Sequence, residues 1–488
     1  MRSVVSRFRH DEAGAILVFW AASIAVVLGI VALSFDVGRM ASTQSELQSY
    51  ADHVALAAAG ELDGKSDAIT RATSAAANLV SDSQTYGGGG KTLAGATSYT
   101  LEFYDRLPAS DTGSLSAGLT TVPADAIYAR VTIAPRSVGF AFAQAFFALT
   151  GTAPTGNTVG AVAVAGFTQY ACDITPMMFC IPDPSFDAAN PATVGDMIRL
   201  RAGGQGAAWG PGNFGFLEPS TLALDSTGNC AGAGGTGPML RCVLGAVGSI
   251  TQCFPARGVN TEPGQKVGIT NDSLNPRFDM WSGAMKNEKN NPIYAPAPNV
   301  IKGIEPKTGG ACNWNNPQPT ADTAALPRDT CITSGGCAPY GNGDWSAGRT
   351  AYVAKNYGGT DPHMSAATRY QYYLAEIAAN GGAGSSSPIL SGLSETGRPM
   401  CSANQNADPE RRVIIAAGID CGANPIQGSS TNVPVHQFVK MFITEPVVDN
   451  GGSVSALDIY AEIIGSAGGN GGTSGSSGII HDVVQLYR

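Results

Sequence analysis

The ten cysteines are the richest source of chemistry in this chain, and their spacing says which chemistry. They are Cys172, Cys180, Cys230, Cys242, Cys253, Cys312, Cys331, Cys337, Cys401 and Cys421. A zinc site would favour Cys-x-x-Cys pairs, and none occurs. The closest two, Cys331 and Cys337, have five residues between them. An even number confined to one part of the chain reads as disulfides made in an oxidising compartment. Short separations keep partners close, which predicts that most bonds join near neighbours, such as Cys172 with Cys180 and Cys401 with Cys421.

Other catalytic constellations are thin. The five histidines are His10, His53, His363, His436 and His481, and no His-Glu-x-x-His pattern joins any two. Gly392-Leu-Ser-Glu-Thr lacks the second glycine of a nucleophile elbow. Gly232-Ala-Gly-Gly-Thr-Gly237 fits the dinucleotide glycine pattern but has no βαβ unit around it, so it reads as coincidence in a chain with 62 glycines. Asp225-Ser-Thr-Gly-Asn has the wrong residue types for a metal-dependent adhesion motif. Trp209 and Trp345 sit in glycine-rich loops and read either as local core or as a binding surface. No catalytic, metal-ligating or cofactor-binding residue is assigned, and no cofactor is expected.

The elements that carry these residues begin with Ala13–Phe35, which is apolar and free of charge. At about 1.5 Å per residue it is roughly 35 Å long as a helix, enough to cross a hydrocarbon core of about 30 Å. Arg2, Arg7 and Arg9 precede it, and the next basic residues are Arg39 and Lys65. The positive-inside rule then predicts a single crossing with residues 1–12 cytoplasmic and the rest translocated. The competing reading is a cleaved signal peptide ending near Ala32-Leu33-Ser34. Its apolar region would exceed the usual run of about 7–15 residues, which favours a retained anchor.

Asp36 to Leu62 continues as helix, with a break at 63–65 where Asp63-Gly64 suits a helix stop. Leu33, Met40, Leu47 and Val54 recur every seven residues, and Val37, Ala51 and Ala58 fill the companion positions. This stripe packs either on the protein's own body or on a partner helix. In the second reading Met40, Leu47, Ala51, Val54 and Ala58 are the seam. Ser66 caps a short second helix ending near Val80, which closes a helical region over 36–82. Tyr86–Lys91, with four consecutive glycines, reads as a flexible joint.

Over 91–171 strands are predicted at Ser98–Asp105, Ala126–Pro135 and Thr158–Tyr170, with a short apolar helix at Gly139–Gly151. From 172 to 488 proline, glycine and cysteine punctuate short apolar pieces. One helix, Ser365–Asn380, and strands at Arg412–Asp420, Gln437–Val448 and Leu457–Gly465 stand out. A Gly/Ser loop follows over Ser466–Gly478, and a last strand closes the chain. The fold class is therefore α+β: an anchor helix extended outward, a small helix-and-sheet layer, and a loop-rich, disulfide-containing, mainly-β domain. A net charge of −9 with 29 Lys and Arg excludes a nucleic-acid partner.

Three pieces of the first 65 residues resemble the TadG-like family of tight-adherence (Flp) pilus assembly. Asp11-Glu-Ala-Gly-Ala15 precedes the apolar span, Asp36-Val-Gly-Arg39 leaves it, and Glu46-Leu-Gln-Ser-Tyr-Ala-Asp52 is followed by Ala55-Leu-Ala-Ala-Ala59. The resemblance implies a pilin-like accessory protein of the bacterial inner membrane with a periplasmic body and no enzymatic activity. Its expected partners are the membrane and other pilus-assembly proteins or pseudopilins. Two departures matter. The metal motif of the von Willebrand type A domain that some relatives carry is missing. Phe19 also stands where related pseudopilins have the glutamate needed for cleavage after the glycine, here Gly14, which predicts an uncut anchor. Two other classes remain open: a tethered periplasmic or surface binding module, and an anchored hydrolase using His436 or His481.

Overall fold

The structure is a computed structural model. It describes residues 15–108, 110, 113, 115–144, 157–172, 174–202, 209–218, 229–247, 253–255, 258–262, 266–307, 312, 314, 317–449, 457–469 and 480–487. The expected cytoplasmic tail, most of the helix expected at 139–151, the start of the Asp225 segment and the Gly/Ser loop beyond residue 469 lie outside these. The chain divides into two compact units, residues 1–168 with 483–488, and residues 169–482.

The first unit is one long helix laid on a small antiparallel sheet. Helix α1 spans Ala15–Ala59 without a break, consistent with a run that has no proline and is rich in alanine and leucine. It stops at Gly60, and Gly64 takes a positive φ of 84°. Helix α2 is Ala68–Asn78, and its N-cap is Asp67, not Ser66. Arg71 of α2 ties the turn together by bonding Glu61, Asp63 and Asp67. Strands β1 (Ser81–Ser83) and β2 (Thr92–Ala94) form a short ribbon.

Strands β3 (Tyr99–Tyr104), β4 (Tyr128–Ser137) and β5 (Thr158–Cys172) make the sheet. The register pairs Tyr104 with Tyr128 and Ile133 with Ala161. Alternation puts Ala129, Val131 and Ile133 of β4, and Val159, Ala161, Ala163 and Ala165 of β5, on the face that meets α1. Small alanines on both sides let the helix lie close.

The glycines at 87–90 do not form a loose joint. Gly87 bridges Val138, and the Gly88 N–H donates to the Ser137 carbonyl at 2.6 Å. A Cβ on Gly87 would lie 2.1 Å from the Gln84 amide oxygen, so any larger residue there would have to push that side chain aside. The last strand, Ile480–Leu486, joins the sheet beside β5. The Tyr487 N–H donates to the Val164 carbonyl and its ring packs edge-on to Tyr128. The chain's end therefore belongs with the first unit, where a single block over 172–488 was expected.

The second unit is built on a closed ring of strands. The strands described in this unit are β6 (Met177–Cys180), β7 (Met197–Ala202), β8 (Asn213–Leu217), β9 (Cys253–Pro255), β10 (Thr261–Glu262), β11 (Ile304–Pro306), β12 (Pro317–Pro319), β13 (Val413–Ile419), β14 (Gln437–Ile443), β15 (Val448–Asp449) and β16 (Leu457–Gly469). Six of them close on themselves in the order β6–β8–β7–β16–β14–β13. The pairs β13/β6 and β7/β8 are parallel and the others antiparallel.

Residues from all six strands meet in one cluster, among them Phe179, Phe216, Leu200, Ile459, Met441 and Ile414. A small closed barrel filled by side chains does this. The run expected as one strand over Gln437–Val448 breaks at Thr444–Val447, where Pro446 has no N–H for a ladder. The opposite happens at β16, which continues through Gly465 and Gly468 to Gly469 by means of register shifts against β14.

Among the described residues this unit has four helices longer than one turn, α3 (Thr236–Gly245), α4 (Val267–Leu274), α5 (Ser346–Tyr357) and α6 (Arg369–Ala379), and a one-turn helix at Thr330–Thr333. Only α6 was expected. In α5, Gly348 weakens the helical signal, yet a Cβ there would lie 2.4 Å from Pro327.

The cysteines form five disulfides: Cys172–Cys253, Cys180–Cys421, Cys230–Cys242, Cys312–Cys401 and Cys331–Cys337. The expected pairs Cys172–Cys180 and Cys401–Cys421 are wrong. Sheet neighbourhood decides instead of distance along the chain. Cys172 lies opposite Cys253 across the β5/β9 ladder, and Cys180 lies beside Ile419, two residues before Cys421. Three of the five bonds close spans of 81, 89 and 241 residues.

Candidate functional site

The best-defined candidate lies where α1 changes character. From Ile16 to Phe35 almost every side chain is exposed, and the stretch has a mean hydropathy of 2.8 over its most apolar window. By length and composition it can cross a membrane. At Asp36 burial starts abruptly and then follows a helical period through Thr43, Leu47, Tyr50, Ala51, Val54, Ala55 and Ala58.

Asp36 is itself 1 % exposed. Its carboxylate accepts the backbone N–H groups of Ala141, Phe142 and Ala143 at 2.8, 3.0 and 2.6 Å. Burial works against the charge, but these three donors and Arg39 outweigh it and hold the carboxyl below its ordinary value. Beside it the rings of Phe35 and Phe142 meet edge-on with centroids 5.3 Å apart. One turn further, the Arg39 guanidinium lies 5.1 Å from the Tyr86 ring centre. The sequence hinted at this junction, because Asp36 is the first acid after the apolar run. The donors 105 to 107 residues away could not be read from it.

The seam reading of the stripe does not hold. Leu47, Ala51, Val54 and Ala58 have no exposed surface, and Met40 packs against the same cluster. Their partners are Ala129, Val131, Ile133, Ala161 and Ala163 of the unit's own sheet together with Ala72 and Ala76 of α2. A second helix could reach these side chains only by displacing that sheet.

In the second unit the most concentrated chemistry is a buried ionic cluster. Arg369 donates to Asp329 and, at 3.2 Å, to Glu462, and all three side chains are fully buried. Its Nε donates to the Pro327 carbonyl at 2.6 Å. Asp329 also accepts the N–H groups of Met197, Asn342 and Gly343. Glu462 accepts those of Arg369 and Tyr370. Every charge in the set is met, which is how such a cluster survives burial. Asp196 stands next to it with its pKa pushed up to about 6, chiefly by burial and then by Asp329. Glu376 sits nearby in an aromatic shell, accepting from Tyr352, Tyr357 and Asn299. No sequence motif marked these residues; Asp196, Asp329, Glu462 and the α6 pair Arg369 and Glu376 come together from four segments.

The residues weighed for catalysis or binding are spread out. Trp345 is 4 % exposed and packs edge-on to Tyr372. Trp209 is partly buried, packs against a buried cluster and lies over Gly215, where a Cβ would come within 2.4 Å of its ring. Both are core. The His436 ring bonds the Phe186 carbonyl at 2.9 Å. His363 packs against Tyr357 and Tyr372, and His481 is exposed on the last strand. Ser394 of the near-elbow bonds Asp322 at the surface. The glycine run at 232–237 does open a helix, α3, but Cys230–Cys242 ties that helix to the run. Among the described residues no three His, Cys, Asp or Glu converge as metal ligands. A cavity of about 450 Å³ is lined by Ala324, Pro327, Arg328, Thr330, Tyr352 and Lys355, among others. Its Arg328 is already bound to Glu445 and stacked 3.6 Å over Tyr460.

These features define a helix-on-sheet layer with an exposed apolar helix half, joined in sequence to a disulfide-bonded barrel unit. Residues 14–61 match the family model described as "Putative Flp pilus-assembly TadE/G-like". The N-terminal segment is thus TadE/G-like, and the match runs along α1 from its start to its stop. No curated protein and no solved structure matches the chain.

Proposed function

We propose that this chain is a membrane-anchored, pilin-like accessory protein for assembly of a Flp/Tad-type pilus or a related secretion machine, acting through protein contacts and not catalysis. The observation that carries this is α1: one unbroken helix, apolar and exposed up to Phe35, packed on its own sheet from Asp36 onward, and matched to the pilus-assembly family over residues 14–61. In this reading Ile16–Phe35 is the inner-membrane anchor, the basic N-terminus is cytoplasmic, and both units are periplasmic. The disulfides agree with an oxidising compartment. Since the stripe is used internally, assembly contacts belong to the exposed surfaces of the units.

The test is a chromosomal deletion in the source bacterium, complemented with the full chain carrying a reporter active only in the periplasm after Arg488. Active reporter and restored pili support the reading. An inactive reporter on a chain that is stably present overturns the orientation, and normal pili in the deletion overturn the assembly role. The intact mass of the extracted protein addresses processing, and a mature N-terminus at Ala15 would contradict the retained anchor argued from Phe19.

A further inference from the structure

Two loops of the first unit are fastened to α1 within a turn or so of the point where its apolar half ends. The segment 140–143 hangs on the Asp36 carboxylate by three backbone bonds. The segment 86–91 meets Arg39 through Tyr86 and meets the other loop through the Gly87–Val138 bridge. Asp36 to Arg39 spans about 4.5 Å along the helix axis, so both loops sit level with the end of the span.

Their composition fits that level. Phe35, Val37 and Phe142 are about half exposed, although all are large and apolar. Lys91 is exposed, and Arg39 and Arg136 are partly so. Neither 86–91 nor 136–144 contains an acid. Asp36 is turned inward and satisfied, and Glu46, further along α1, is bound to the N–H and hydroxyl of Thr85. Exposed aromatics flanked by cations, without acids, are the composition of a membrane–water interface.

We propose that segments 86–91 and 136–144 form a lipid-binding collar, with Phe142 and Phe35 in the boundary between headgroups and acyl chains and Arg39, Lys91 and Arg136 on anionic headgroup phosphates. The occupant is the surface of the same bilayer that α1 crosses, because α1 is unbroken between the span and the collar. The proposal rests on reading Ile16–Phe35 as a membrane span. It adds that the first unit is seated on the lipid and does not swing from a free tether. The Asp36 clamp is what fixes the loop to the helix at that height.

The test uses the full chain in vesicles of phosphatidylethanolamine and phosphatidylglycerol. Since the ten native cysteines are all paired, a single added cysteine takes a fluorophore selectively. Three sites are compared: Ile24→Cys in the span, Phe142→Cys in the collar, and Val122→Cys. The last lies near the far end of β4, because Leu119 bridges Tyr104 opposite Tyr128. That end is about 30 Å from Val138. Nitroxide lipids quench from either the top of the acyl chain or the bilayer centre. The collar predicts that the Phe142 site loses most of its emission to the shallow nitroxide, Ile24 to the deep one, and Val122 to neither. A quenched Ile24 with an unquenched Phe142 overturns the collar alone. An unquenched Ile24 overturns the anchor itself. Tyr86→Cys is the second collar probe should the Phe142 variant misfold, with the same expectation. Replacing phosphatidylglycerol by phosphatidylcholine should lower quenching at the collar and leave Ile24 unchanged. Equal quenching in both lipids removes the three cations from the proposal.

Discussion

In the first unit the buried residues are mostly alanine and valine, brought together by one helix lying on one sheet. It contains no cysteine, and its ion pairs, such as Arg71 with Glu61, keep about a third of their side chains in water. In the second unit larger side chains, among them Phe179, Phe216, Met441 and Ile459, fill a six-stranded ring, and the unit holds all five disulfides. There Arg369, Asp329 and Glu462 are wholly buried. The first unit rests on a local, periodic pattern that one helix can carry. The second depends on links between residues far apart in sequence. The difference teaches where each unit is vulnerable: the first to loss of packing volume, the second to loss of a cross-link or of one member of a charge set.

Reduction should separate the two most sharply. Removing the five disulfides under native conditions should unfold the second unit and leave the helix-on-sheet layer intact. A native disulfide contributes about 2–4 kcal/mol, and the chain-entropy model puts one that closes a very long loop near 5 kcal/mol. Limited proteolysis of the detergent-solubilised chain with and without reductant checks this. Cleavage confined to residues 169–482 is expected, and equal protection of both units in reductant would contradict it.

Arginine substitution should reproduce the contrast one residue at a time. Arg369→Met leaves Asp329 and Glu462 buried without their counter-charge and should cost about 3–5 kcal/mol. Arg71→Met in the first unit removes a solvent-screened network and should cost at most about 1 kcal/mol. Denaturant unfolding monitored separately for the two units measures both. Similar losses would mean that burial is not what distinguishes the two arginines.

Leu47→Ala tests the packing side and should cost about 2–4 kcal/mol in the first unit, since its side chain is fully buried among alanines that have no volume to spare. Leu47→Asp or Val54→Asp should lose the protein altogether, because a carboxylate there has no partner. A stable Val54→Asp protein that has only lost a binding partner would restore the seam.

The same division explains what could be read in advance. The apolar run, the helix continuing from Asp36 and the three strands of the first unit are local patterns, and each appears close to where it was expected. The heptad stripe was read correctly as a buried face, but a seven-residue repeat does not say whether a helix or a sheet covers it. The barrel was not legible. Its strands β6, β7 and β8 are only four to six residues long, and its closure depends on β7 pairing with β16 some 260 residues away. Cys180–Cys421 follows from the pairing of β6 with β13 and Cys172–Cys253 from that of β5 with β9, so near-neighbour reasoning, which offered Cys172–Cys180 and Cys401–Cys421, missed both. Arg369, Asp329 and Glu462 look like ordinary surface charges until the ring buries them.

The smallest expected effect has opposite signs in the two units. Asp196, beside the buried Asp329, titrates near 6 instead of 3.8 because burial and the neighbouring charge disfavour its ionised form, with Arg369 opposing. A raised carboxyl pKa means the folded state keeps a proton that the unfolded state has released. Stability of the second unit therefore falls as pH rises from about 4 to 6 and stays lower above that. Asp196→Asn cannot lose that proton, so it should match the parent near pH 4 and exceed it at pH 7. The side chain is only partly buried, and after solvent screening the gain should be on the order of 1 kcal/mol, about 2 °C in Tm. In the first unit, Asp63 is held below its ordinary value. Burial opposes this, but the Lys65 N–H and Arg71 prevail. Its contribution is present at neutral pH and is lost as pH falls through the depressed pKa, so Asp63→Asn should lower stability at pH 7 and cease to matter in acid. Thermal unfolding of both variants at pH 4 and pH 7 decides the matter. If Asp196→Asn gives the same shift at both values, the carboxylate is not strained by its surroundings, and the contrast in charge environment between the units reduces to Arg369 alone.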